Sequence, residues 1–399
     1  MSDSNRTTLC FAPEATYNTD PTASATWVGL RTLSDSLKQD ISLSSSDEIR
    51  SYRDIPALDQ TDRAVSGSIN QNLYFDNNGT GELMQFGIGS ADWGDSGADT
   101  SVVAAAACSI TQSSRTIAKD SGSWANNPAV GEWVYISGAA NSATNGYHQV
   151  ATVSGSNSFT VNSAIGASES GVTLTAVTMS QITNGTTTQN LHIQRNYSDL
   201  SNQSELFGGM NVAGWSVDAT GQDTVSFNTE WIGAQATSLA STARAIDTAA
   251  ATNAAMTTTN GVQWVREGTG AGSVADLACT GVSFTVDNGI RKQYELGTFG
   301  PSALKLGDFT VTGTLQAYFT SNTLFDKFLN QTATGLSIAI SDEAATKGNA
   351  FIFDFPSVKF TDGSRVAGGR NQDIIADLTW QAIYDGSSHT MKIARTASS

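Results

Sequence analysis

The sequence predicts a mainly β protein built from two tandem copies of one β unit, the first interrupted by a small inserted β module. Three observations carry this. Thr-rich stretches alternate apolar and polar residues between Gly, Asn and Asp clusters, the period-2 pattern of half-buried strands. One strand is written almost twice: VSGSINQNLYF from Val65 and VTGTLQAYF from Val311 share Val, Gly, Ser/Thr, Ile/Leu, Asn/Gln and a closing Tyr–Phe pair. Further landmarks recur around that strand in the same order.

The chain opens on an irregular arm, FAPEATYNTDPTASATW, that leads into a strand. LKQDISLSS then alternates Leu37, Ile41 and Leu43 against Lys38, Asp40 and Ser42. SDEIRSYRDIPALDQTDR reads as an extended loop. From Val65 to Phe75, the residues Val65, Ile69, Leu73 and Phe75 face one way and Ser66, Ser68, Asn70 and Asn72 the other. DNNGTGELMQFGIGS breaks the strand and predicts a short helix with Leu83 and Phe86 three apart.

The second copy follows suit. TGVSFTVDNG sets Val282, Phe284 and Val286 against Ser283, Thr285 and Asp287. IRKQYELGTFGPSALKLGD is its loop. The next strand sets Val311, Leu315 and Phe319 against Thr310, Thr312, Thr314 and Gln316, and TSNTLFDKFLNQ predicts a helix with Phe325 and Phe328 three apart. NVAGWSVDATGQDTVSFNTEW and RVAGGRNQDIIADLTW close the two copies, each running from Val-Ala-Gly through Gln-Asp to a strand ending in Trp. The expected organisation is copy 1 over 1–97 and 183–260, the latter ending in an Ala/Thr-rich linker with at most a short helix near Arg244. Copy 2 covers 261–399. The inserted module covers 98–182, a small barrel or sandwich with an Asn145-Gly146 turn and Trp133, Tyr135, Val150, Val153, Phe159 and Val161 in its core.

Composition narrows the function. The net charge of −16 over 399 residues argues against tight or sequence-reading nucleic-acid binding, which needs Lys and Arg against phosphate. It does not argue against a surface that DNA slides past. Cys10, Cys108 and Cys279 are too few and too scattered for a disulfide framework or a metal pair. MSDSNRTTLC has no apolar core for a secretory signal, and no apolar run is long enough for a membrane helix. His148 and His192 fall on polar strand faces and His389 in the C-terminal tail, so all three read as surface histidines without ligand partners. The acids of TEWIGAQ and DEIRSYRD read as solvated, and GTGAGS, at 268–273, lacks the P-loop Lys and reads as a turn. No enzyme and no cofactor is expected. The informative feature is the second face of the repeated strands, where Ser, Thr, Asn and Gln stand in place of the Lys and Glu of an ordinary solvent face.

In CFAPEATYNTDPTASATWVGLRTLSDSL, in the strand–helix unit and in FGGMNVAGWSVDATGQDTVSFNTEWIGA, the chain resembles the major tail tube proteins of long non-contractile-tailed (siphovirus-type) bacteriophages. The resemblance implies a tail-tube-type β-sandwich with a flanking helix in each copy. Inner sheets join side by side around rings that stack into a hollow tube, and inserted β domains decorate the outside. Rings of this family usually hold six tube domains, so two per chain imply homotrimeric rings with pseudo-sixfold symmetry. It further implies a structural virion protein assembled in the host cytoplasm, with itself, a tape measure protein and tail terminator or tip proteins as partners. DNA passes transiently through a neutral-to-acidic bore, and no membrane is involved. Tube proteins of contractile tails and secretion tubes share the fold; size and duplication favour the long flexible tail.

On this reading the candidate lumen-facing residues are Asp40, Ser42, Ser66, Ser68, Asn70, Asn72, Thr285, Asp287, Thr310, Thr312, Thr314 and Gln316, and the candidate inter-ring contacts are Arg50, Arg53, Asp54 and Arg291. The main alternative is a β-rich cell-surface adhesin or carbohydrate-binding protein, with a polysaccharide-degrading enzyme third.

Overall fold

The structure is a computed structural model that describes residues 3–396 except 23, 50, 52, 56, 94–99, 202, 240–242, 271, 343–348, 366–369 and 387–388. It is mainly β, with two α-helices among the described residues. Eight strands form the face that matters: β1 (Lys38–Ser45), β2 (Leu58–Asn72), β3 (Ser204–Thr220), β4 (Ser226–Gly233), β5 (Cys279–Asp287), β6 (Thr310–Tyr318), β7 (Ala350–Arg365) and β8 (Ile375–Ala382). They pair antiparallel in the order β1–β2–β4–β3–β5–β6–β8–β7. The first four and the last four strands follow the same internal order, and the β3–β5 ladder, from Gly214↔Asp287 to Thr220↔Gly281, zips them into one sheet.

The registers of the two halves coincide. Gly67 lies opposite Trp231, and Gly313 opposite Trp380. β3 bulges between Val212 and Gly214, and β7 between Phe360 and Asp362. A Cβ on Gly67 would stand 2.6 Å from the Ser36 carbonyl oxygen, and one on Gly313 would stand 2.4 Å from that of Ser283. Glycine is required at both places because a neighbouring strand's backbone occupies the side-chain volume.

β3 and β7 are corner strands. The first part of β3 pairs with Leu191–Tyr197 and Gln235–Leu239 in a back layer, and the remainder pairs with β4 and β5 in front. Gly209, at φ 63, lies at the corner. In the same way β7 pairs with Thr334–Ser341 as far as Val358 and with Lys392–Arg395 as far as Asp354, and with β8 from Val358 onward. A strand that changes sheets lets one alternating pattern serve both layers of a sandwich. Between the layers lies one apolar core shared by both halves. Trp215 meets Phe227, Phe284 and Phe353 at ring-centroid distances of 5.7, 5.5 and 6.1 Å, and Phe284 and Phe353 belong to the second half.

α1 (Thr80–Gly87) and α2 (Thr323–Leu329) fall where the Leu83/Phe86 and Phe325/Phe328 spacings predict helices. Six strands between Thr100 and Thr178 close into a small barrel around Val150, Phe159, Val161 and Trp124. Trp133 and Tyr135, expected in that core, instead face the body: Trp133 stacks on Trp264 at 5.5 Å. The strand Ser180–Thr183 that follows the barrel pairs with Lys392–Arg395 of the main body.

Several expectations are corrected. β2 begins at Leu58, so the end of the expected loop is strand. Ile41 and Leu43 are 54% and 56% exposed, because the apolar row of β1 runs past the core after Leu37. Arg244 lies in non-helical chain, held to Asp20 at 2.8 Å. The histidines are buried, not at the surface. His148 bonds Ser163 Oγ and the Thr144 carbonyl at 2.7 and 3.1 Å, and burial pushes its pKa down to about 3. His192 pairs with buried Glu14. A histidine on a polar strand face is buried wherever another layer covers that face, which periodicity alone cannot reveal.

Candidate functional site

The chain's distinctive surface is the polar side of the eight-stranded sheet. Directly opposed residues in neighbouring strands point to the same side, so the pairings give its rows: Asn70, Asn228, Ser216, Thr285, Thr312 and Gln381 form one, and Ser68, Glu230, Gly214, Asp287 and Thr310 another. The alternate residues Val65, Ile69, Phe227, Trp231, Trp215, Val217, Val282, Phe284, Val311, Leu315, Leu378 and Trp380 are buried. Burial of that side is what turns the hydroxyls and amides outward.

All twelve residues expected at a lumen lie on strands β1, β2, β5 and β6, on this polar side, and none is fully buried. The two halves repeat its hydrogen bonding as well. Ser36 Oγ meets Ser68 Oγ at 3.0 Å, and at the corresponding place Ser283 Oγ meets Thr314 Oγ1 at 2.8 Å. Short hydroxyl side chains that bond across strands lie close to the sheet and hold few mobile charges above it.

The face is acidic. Asp40, Asp218, Glu230, Asp287, Asp362 and Asp377 are exposed on it, with Lys38 and Lys359 as cations. Asp40 accepts from Ser66 Oγ at 2.6 Å and pairs with Lys38 at 2.9 Å. The Ser66 hydroxyl, then Lys38, hold its carboxyl below the usual range, so it stays ionised. Sequence reading missed Asp218, Glu230, Asp362 and Asp377, and for all but Asp362 the strand pattern offered a signal. The signal was present in WSVDAT, SFNTEW and IADLTW, whose polar residues alternate as strictly as those of β2 and β6.

The residues expected between rings are not brought together. Arg53 and Asp54 are exposed in the loop before β2, and Arg291 is exposed on a short strand paired with Ala303–Lys305. Arg50 lies outside the described residues. The second-half loop, 288–309, folds back across the sheet end onto the first half. A Cβ on Gly300 would stand 2.8 Å from the Arg63 carbonyl oxygen and 3.3 Å from that of Ala234, and the Arg63 guanidinium sits 6.0 Å from the Phe299 ring centre. Burial, then the Asp62 carboxylate, raises the Tyr294 pKa in this strap. The corresponding first-half loop leaves Ile49, Ile55 and Leu58 exposed.

Among the described residues no group of His, Cys, Asp and Glu is placed to hold a metal ion, and no helix is long and apolar enough to cross a membrane. The chain matches the family model of phage tail tube proteins over residues 4–382 and belongs to that family. No curated protein matches it. It is a structural component of a bacteriophage tail tube, and its family implies self-assembly into that tube.

Proposed function

We propose that three copies of this chain close a ring through the two free edges of the eight-stranded sheet, and that stacked rings form a tube with the polar face lining its bore. The observation that carries this is the order β1–β2–β4–β3–β5–β6–β8–β7, in which one chain already joins two equivalent four-strand units side by side. Six such units make a ring of three chains, and closure pairs edges that would otherwise attract strands indiscriminately. Asp40, Ser42, Ser66, Ser68, Asn70, Asn72, Thr285, Asp287, Thr310, Thr312, Thr314 and Gln316 then face the channel.

DNA carries one charge per about 1.7 Å of axis, and a basic wall would trap it by releasing counterions. An acidic, hydroxyl-rich wall repels phosphate and keeps no hold on it, which suits a conduit for the genome during ejection. The small barrel decorates the outside. The chain works without a cofactor and without catalysis, in the long flexible tail of a siphovirus-type virion. It assembles in the host cytoplasm around a tape measure protein, between tail terminator and tip proteins. Electron microscopy of purified assembled tubes tests the reading. Rings of three chains with the β2 and β6 hydroxyls at the bore support it; six chains per ring, or a bore lined by other strands, overturns it.

A further inference from the structure

We infer that the seam between neighbouring chains repeats the internal β3–β5 seam in register but not in charge, and that this difference restrains ring closure. The inference rests on the tube reading and names the residues that meet. Within the chain, the outer edge of β3 pairs with β5: Gly214↔Asp287, Ser216↔Thr285, Val217↔Phe284. The matching outer edge of the second half is β7 from Asp362 to Arg365, which pairs only with β8 among the described residues. The matching receiving strand of the first half is β1 with the residues just before it, which among the described residues pair only with β2.

The correspondence is fixed at three points. The bulges place Asp362 where Gly214 stands. The close approaches of Gly67 to Ser36 and Leu37, and of Gly313 to Ser283, place Ser36 where Ser283 stands, and the pairing Phe284↔Gly313 places Leu37 where Phe284 stands. Counting along β1 then places Asp40 where Asp287 stands. In trans, therefore, Ser364 lies opposite Lys38, Arg365 opposite Leu37, and Asp362 opposite Asp40.

The strap follows the same logic. In cis, loop 288–309 covers the base of β2 at Arg63. In trans, the described residues Ile49 and Ile55 of the first-half loop cover the corresponding base of β6, at Asp308 and Phe309 of the next chain. This gives exposed Ile49 and Ile55 an apolar partner.

The charge differs at each of these pairs: Lys38 and Arg365 are added opposite Ser364 and Leu37, and a repulsive contact arises at the third. The internal seam sets a glycine against Asp287, whereas the chain-to-chain seam sets Asp362 against Asp40, and like charges directly opposite destabilise a strand pair. The internal seam thus forms with the fold, while the external one waits for a high local concentration of chains.

Cysteine pairs test the register in the full chain. Both cross-strand spacings of an antiparallel ladder fall within the range a disulfide spans. Ser216→Cys with Thr285→Cys should close within one chain and serves as the control. Lys38→Cys with Ser364→Cys should link chains on oxidation, and the linked species should stop at three. Linked species that stop at another number leave the seam intact and overturn the ring of three. A closed control without inter-chain linkage overturns the seam, whatever particles are seen by microscopy.

Asp362→Gly should lower the concentration for half-maximal assembly by about fivefold, the equivalent of about 1 kcal/mol. An unchanged or raised concentration overturns the restraint. Ile55→Asp should raise that concentration while leaving the melting of the unassembled chain unchanged; unaltered assembly overturns the strap.

Discussion

The two halves share the registers of the front sheet and differ in what covers its apolar side. In the first half α1 is embedded: Leu83 and Met84 are inaccessible, and the Trp215 indole N–H donates to the Gly87 carbonyl at 3.1 Å. Buried Asn288 donates to the same carbonyl at 3.0 Å, tying the helix to the second half. In the second half no residue of α2 is fully buried, and the Trp380 indole N–H has no hydrogen-bond partner among the described residues. What the second half has instead is the barrel. Asp354 occupies the place in β7 that Leu206 occupies in β3, and it accepts from Gln149 Nε2 at 2.8 Å and Trp133 Nε1 at 3.4 Å, both barrel residues. Lys392 beside it donates to the Gly131 carbonyl at 2.8 Å. The front sheet thus keeps one register in both halves, while what packs beneath it differs from half to half.

The largest expected effect is at the two tryptophans. Trp215→Ala should cost about 4 kcal/mol through lost aromatic packing. Trp215→Phe should cost about 1 kcal/mol more than Trp380→Phe, because only the first removes a hydrogen bond and leaves the Gly87 carbonyl with one donor fewer. Chemical denaturation of both variants measures the difference, and equal losses would break the contrast.

Next come the glycines that make the halves alike. Gly67→Ala and Gly313→Ala should each cost about 2 kcal/mol by forcing strands apart. Gly67 also sits at φ 151, where an L side chain is strained. If one variant is tolerated and the other is not, the two strand crossings are not equivalent.

The third expectation isolates the barrel contact. Burial pushes the Asp354 carboxyl up to about 6 against the attraction of Lys392, so between its ordinary 3.8 and about 6 the folded protein holds a proton that the unfolded chain has released. Asp354 therefore contributes most at low pH, and its contribution is lost as pH rises through about 6. Denaturation at pH 4.5 and 7.5 should show wild type losing stability over this interval relative to Asp354→Asn; parallel behaviour of the two would remove the coupling.

The smallest effect is at the hydroxyl pairs. Ser68→Ala and Thr314→Val should each change stability by about 0.5 kcal/mol or less, since both bonds compete with water. A larger loss in only one half would mark that half's face as more than a wetted surface.

Much of this was legible in the residues. Alternation in β2, β5 and β6 identified the buried and polar rows, because a pleated strand offers its side chains to two faces in turn. The shared Gly and closing Tyr-Phe pair, two residues farther apart in the first copy, identified the repeated strand, and the Leu83/Phe86 and Phe325/Phe328 pairs located both helices. The loop that became the start of β2 was not legible, because Leu58–Arg63 is charged and mostly exposed and owes its strand form to β1 alongside it. Nor were the buried histidines, whose faces are covered by segments distant in sequence. Asp218, Glu230 and Asp377 were missed as members of the acidic face because their strands were read as closing hairpins rather than as wall.

By itself the sequence determined the two faces of β2, β5 and β6 and which of them is buried, since period-2 alternation is written within a single strand. Tertiary structure alone decided which strand lies beside which: that β3 passes from the back layer to the front, that it pairs with β5 to fuse the halves, and that β1 and β7 are left as edges. Backbone ladders carry almost no side-chain identity, so any two edges of matching length and twist can pair, and the choice is made by the core that packs beneath them.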